Sequence, residues 1–150
     1  MTAADTRSAV AHLARRAGFG LAADEIDARA AGGYAAAVDA VCADLIAPDA
    51  AAEAVAPPTF DRASYRQGRT SDDAATRKAA FAQARAERRA LVAWWLQRMV
   101  AADRPVREKV TFLWHDHFST SLQKVKLAEL MYVQYRTLYD GAAGRFDDLV

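Results

Sequence analysis

The sequence predicts an all-α fold, an irregular bundle of six or seven helices. Three observations point there. About a quarter of the 150 residues are alanine, the residue with the best intrinsic helix propensity. Isoleucine, one of the residues that strands favour, occurs only at Ile26 and Ile46. Apolar side chains also recur at helical spacing between glycine and proline stops, as at Val10, Leu13, Ala14 and Ala17. A chain of this length can bury about two-thirds of its unfolded surface, enough for a core.

A first helix, capped by Thr6 or Ser8, runs to Ala17 and stops at Gly18 and Gly20. A second covers about residues 23–30 and stops at Gly32 and Gly33. A third covers 34–46, with Val38, Val41, Cys42 and Leu45 at helical spacing. Pro48, Pro57 and Pro58 then mark residues 47–72 as a loop or linker excursion, polar in its second half. The longest helix follows, about 73–102, capped by Ser71 or Asp72. Its apolar stripe comprises Leu91, Val92, Trp95, Leu96 and Met99. Asp103-Arg104-Pro105 punctuates the chain, with Pro105 suited to the first turn of a helix to about Phe118. After a Ser119-Thr120-Ser121 cap region, one helix covers 122–139. It carries a stripe of Tyr132, Tyr135 and Tyr139, read as a core edge or an interhelix contact. Gly141 and Gly144 end it, and 146–150 looks like the opening of another helix without a closing cap. The expectation is therefore a single, incomplete domain over 1–150, truncated at its C-terminus.

Twenty basic and nineteen acidic residues give a net charge of +1, which disfavours a polyelectrolyte binder. The distribution is uneven: residues 61–100 carry nine bases against four acids. Arg85, Arg88 and Arg89 share a helix face there, read as solvated, with no strong nucleic-acid signature. One cysteine, Cys42, excludes an internal disulfide and is expected to be a small buried hydrophobe. No stretch of about 18 apolar residues exists to span a membrane. Residues 1–17 lack the apolar core of a signal peptide, so the default compartment is the cytoplasm. An upstream start would leave export open.

The stretch richest in chemistry is Trp114-His115-Asp116-His117-Phe118. Histidine titrates near neutral pH and is the commonest metal ligand. Two histidines at i, i+2 on a regular helix diverge by about 200°; an extended end would aim them together. Glu108 lies two turns before His115. His12 and Arg16, one turn apart on the first helix, could face a cleft or bind an anion. The candidate polar site is His115, His117, Asp116, Glu108, His12 and Arg16. A divalent metal, if one binds, would use His115 and His117. Against this stands a structural account, in which Trp114 and Phe118 fill the core, His117 is hydrogen-bonded and buried, and Arg107 pairs with Glu108.

Two segments together are more specific than either alone. His12-Leu-Ala-Arg-Arg-Ala-Gly-Phe-Gly20 and Arg107-Glu-Lys-Val-Thr-Phe-Leu-Trp-His-Asp-His-Phe118 resemble the "HLLRRAGFG" opening and "REKM…FWHxHF" signature of a large bacterial family. That family is catalogued as domain of unknown function 1800 (DUF-1800). Gln134-Tyr-Arg-Thr-Leu138 and Gly144-Arg-Phe-Asp-Asp-Leu-Val150 are similar to its "QNRLLR…GNFRDLL" region. The resemblance implies a longer protein, of which this chain covers roughly the first third, and brings no reaction with it. Tyr135 and Tyr139 stand where the family pattern has Asn and Arg, and Gly141 where a histidine is common, so part of a polar site would be lost. The reading favoured here is a structural or binding domain, with a protein partner possible. The alternative is a metal-assisted or histidine acid/base enzyme whose remaining residues lie beyond Val150.

Overall fold

The computed structural model describes residues 2–118 and 120–149. Among them there is no strand; the chain is an all-α irregular bundle. Its helices are α1 (Ala3–Ala17), α2 (Ala23–Ala31), α3 (Tyr34–Ile46), α4 (Ala50–Glu53), α5 (Arg62–Thr70), α6 (Ala74–Ala101), α7 (Val106–His117), α8 (Leu122–Val125) and α9 (Ala128–Asp140). Helix α7 is the hub, touching α1, α3, α6 and α9. Helices α1–α3 pack on one another, and α5 lies along α6. No single helix among the described residues is long and apolar enough to cross a membrane.

The first helix starts earlier than the cap at Thr6 or Ser8 implies. Thr2 and Asp5 form a capping box, the hydroxyl of Thr2 accepting from the Asp5 N–H and the carboxylate of Asp5 from the Thr2 N–H. Satisfying two orphan donors at once outweighs a lone hydroxyl further along. Gly33, at φ 88°, makes the positive-φ turn between α2 and α3 that a side chain would resist. Cys42 is exposed, not buried as expected, because α3 buries the face of Ala37 instead.

Residues 47–72 are not a plain loop. Asp49, almost wholly buried, caps α4 through the Ala52 N–H and also accepts from the Arg104 N–H at 2.7 Å. One carboxylate thus ties this segment to the α6–α7 turn. Asp61 caps α5, whose polar sequence conceals Tyr65 and Gly68 on its buried face. A Cβ on Gly68 would fall 2.1 Å from that of Ala80, so the α5–α6 approach requires glycine there.

Asp73, rather than Ser71 or Asp72, caps α6, accepting from the Ala75 and Thr76 N–H groups. The buried line of α6 is Ala80, Ala84, Glu87, Leu91, Trp94 and Arg98, alternating steps of four and three as packed helices require. The expected stripe is rotated off this line. Val92 and Leu96 remain 46% and 56% exposed. Two polar residues, Glu87 and Arg98, sit where an apolar count sees gaps, and their partners explain it. Glu87 accepts from the Asp61 N–H and the Gln83 amide.

The helix expected over 122–139 is two. Ser121 caps α8; Lys126 then takes a left-handed φ of 65° and Leu127 is extended before α9 begins. The break lets α9 set Ala128, Met131, Tyr135 and Tyr139 against Leu91 and Trp94 in the main core. The final segment, Phe146–Asp148, is a single 3₁₀ turn rather than an α-helical opening; Ser119 and Val150 lie outside the described residues.

Gly68→Ala is expected to destabilise the protein by about 1–3 kcal/mol through overpacking of α5 on α6. Urea unfolding measures this, and an unchanged midpoint would show that the helices can part at no cost.

Candidate functional site

The site is built around a charge pair that the fold buries completely. Arg98, on α6, and Glu108, on α7, are each 1% exposed. The Arg98 Nε donates to Glu108 Oε1 at 2.9 Å, its Nη1 to the Ala52 carbonyl at 2.8 Å and its Nη2 to Glu53 at 2.9 Å. Glu108 also accepts from the Trp95 Nε1 at 3.0 Å and the Tyr135 hydroxyl at 2.8 Å. Buried charges persist when their remaining donors and acceptors are satisfied in this way. Burial disfavours the Arg98 charge, but Glu53 and Glu108 reverse that and hold its pKa above the ordinary value. Burial, then the Glu108 charge, push the Tyr135 hydroxyl upward, so it stays a protonated donor. Burial works against the charge of Glu53 as well, yet Arg98 and Arg136 keep its carboxyl below the usual range.

Two donors to Glu108, Trp95 and Tyr135, also form the wall of a groove of about 700 Å³. Its lining is aromatic and aliphatic, from Phe19, Trp94, Leu96 and Phe112 to Met131. Polar groups are few: Lys109, His115, Thr120 and Ser121. The Lys109 ammonium sits over the Phe19 ring at 5.2 Å. Thr120 accepts from the Gln134 amide at 2.5 Å, which fixes the hydroxyl at the groove edge. A volume in this range, apolar with a few placed polar groups, is what small-molecule sites present.

The sequence candidates divide around this groove. His115 lines it, its ring edge-on to Trp95 with centroids 5.2 Å apart. Burial lowers its pKa and the Asp116 charge opposes this in part, so the imidazole is neutral near pH 7. His117 is exposed, beside the rings of Trp114 and Phe118 at 5.6 and 5.4 Å. The expected buried, hydrogen-bonded role therefore does not fit it. Because α7 stays helical through His117, residues two apart project to different sides. One ion cannot be shared between these two imidazoles in that arrangement. Among the described residues no three His, Cys, Asp or Glu side chains are grouped to hold a metal.

Asp116 is exposed and outside the groove lining. His12 and Arg16 are exposed on α1 and do not line it either, although Phe19, just beyond that helix, does. Glu108 is not a partner of Arg107 or His115; it is the buried acceptor for Arg98. Trp114 and Phe118 are half-buried; away from the main core, Phe118 stacks on Phe146 at 6.4 Å and Trp114 meets it tilted at 5.6 Å.

Sequence reasoning missed Arg98 and Lys109. A signal for Arg98 existed: it continues the Leu91, Trp94 line at helical spacing, a charged residue on an apolar row, with an acid ten residues later across a turn.

A family model described as a protein of unknown function (DUF1800) matches residues 12–150. The chain belongs to the DUF1800 family. No curated protein and no solved structure matches it. Two tyrosines of α9 fall inside the buried network. Tyr135 supplies a hydroxyl to Glu108, and the Tyr139 ring is met by the guanidinium groups of Arg98, Arg107 and Arg136 at 4.9, 5.2 and 5.3 Å. In this DUF1800 chain those positions therefore carry stability.

Glu108→Gln should cost about 3–5 kcal/mol, because it leaves the Arg98 charge buried against weaker partners. In denaturant unfolding, a double Arg98→Met, Glu108→Met variant should lose less than the two single losses added together; strict additivity would show the pair to be uncoupled.

The lowered His115 pKa has a defined sign. The unfolded chain holds that proton more tightly, so stability falls as pH drops below about 6.5 toward the folded value. An NMR titration should place His115 below about 6.5, and His115→Gln should flatten the acid limb of the stability curve. A His115 midpoint at or above the ordinary value would contradict the burial argument.

Proposed function

We propose that this domain is a binding module that holds an apolar small molecule in the groove between α6, α7, α8 and α9. The observation that carries the reading is the groove itself, about 700 Å³ with a predominantly apolar lining and few polar side chains. Val92, Leu96 and Phe112 are exposed there. Covering them with a ligand removes apolar surface from water, worth about 25 cal/mol per Å². The walls are held by hydrogen bonds from Trp95 and Tyr135 to Glu108, so the cavity costs little to organise on binding.

An acid–base enzyme is the second reading, and His115 is the observation that favours it. A neutral imidazole facing an apolar groove can accept a proton from a bound molecule. His117, Asp116, His12 and Arg16 stand outside that lining, so such chemistry would rest on His115.

A titration with the neutral apolar dye N-phenyl-1-naphthylamine tests the binding reading, with dye fluorescence and Trp emission as signals. Leu96→Gln, at an exposed position that folding does not need, should weaken dye binding by about tenfold. Equal affinity in the two proteins would place the dye elsewhere and remove the basis of this reading.

A further inference from the structure

The groove does not end at its aromatic walls. It shares Val92, Leu96 and Leu122 with a shallower depression along α6, and that depression shares Arg88 and Gln123 with a pocket of about 260 Å³. A continuous track thus runs along one side of α6. Between Leu96 and Arg85 it covers about 16 Å at 1.5 Å per helical residue. One end is apolar and aromatic. The other is cationic, with Arg85, Arg88 and Lys126 around Gln123 and a Tyr65–Phe81 edge pair.

The pocket lining contains no carboxylate, and among the described residues none of the three cations forms an ion pair. Glu87, the acid nearest Arg85 and Arg88 in sequence, is turned inward to the Asp61 N–H and the Gln83 amide. Lys126 is itself the left-handed residue between α8 and α9, the only non-glycine with positive φ among those described. Glycine would take that conformation at less cost.

We propose that the ligand is a single amphiphile, its apolar body in the aromatic groove and a phosphate-type head held by Arg85, Arg88 and Lys126. This rests on the binding reading above. Guanidinium groups match the fork of phosphate oxygens, and a lysine adds a point charge. The apolar track between the two ends gives the ligand's chain a surface to cover on the way.

Displacement of N-phenyl-1-naphthylamine by dodecyl phosphate, by dodecanol and by inorganic phosphate tests it, below the micellar concentration of each amphiphile. Dodecyl phosphate should displace the dye at least about tenfold more tightly than dodecanol, and inorganic phosphate should not displace it. In the Arg85→Gln, Arg88→Gln double variant that preference should fall to within about twofold. Lys126→Gly suits the left-handed backbone, so it should fold at least as well while losing part of the preference. Equal displacement by the two amphiphiles in the unaltered protein, or a preference that survives in the variants, would overturn the assignment of the head and leave the apolar groove standing. Absence of dye binding would remove the groove reading and this proposal together.

Discussion

The rest of the molecule depends on one carboxylate. Glu108 is buried on the hub helix and accepts from Arg98, Trp95 and Tyr135, which belong to α6 and α9. Arg98 in turn reaches the Ala52 carbonyl and Glu53 in α4. Four helices are thus registered by two side chains. Such a pair is weak as a source of net stability, since desolvation of two charges offsets much of their attraction. Its geometric demand is strict, however, because any packing that separates the pair leaves a bare charge inside. An alanine-rich helix such as α6 offers few large side chains to fix its rotation, and a polar lock supplies what volume alone does not.

That lock also shapes the groove. Trp95 could present either edge of its ring to the space between α6 and α7; the bond from its Nε1 to Glu108 selects one. The ring then meets Phe112 at 5.9 Å and His115 at 5.2 Å between centroids. Tyr135 is fixed in the same way, edge-on to Trp94 and Trp95 at 4.9 and 5.3 Å. The groove walls are therefore held from behind, and apolar residues such as Leu96 are left open to water in front. A core that relaxed freely would close over them.

Helix class and the glycine and proline stops were legible because they are local: α3 follows directly from Gly33 and Pro48. The segment at 47–72 was not, because its helices are set by caps at Asp49 and Asp61 and by contact with α6, rather than by an apolar period of their own. The rotation of α6 was misread for a physical reason. Counting apolar residues finds Val92 and Leu96, but burial follows Arg98 and Glu87, whose partners are distant in sequence. The split between α8 and α9 rests on the backbone of Lys126, a residue with no local signal for positive φ. As for the site, His115 was visible and does face the groove. Its supposed partner His117 could not be placed until the helix was known to run past it.

On the proposed reading, binding in this groove would not be separable from the buried network. A ligand against Trp95 and Tyr135 would touch the two neutral donors of Glu108, so any shift of either ring would be felt at the ion pair. The coupling runs both ways, since a ligand that binds the ordered walls alone stabilises the folded state by mass action. Loosening Glu108 would then weaken binding without altering a single groove contact, by adding the work of ordering Trp95 to each binding event. Direct loss at Leu96 and indirect loss at Glu108 would differ in kind: the first removes contact area, the second removes preorganisation.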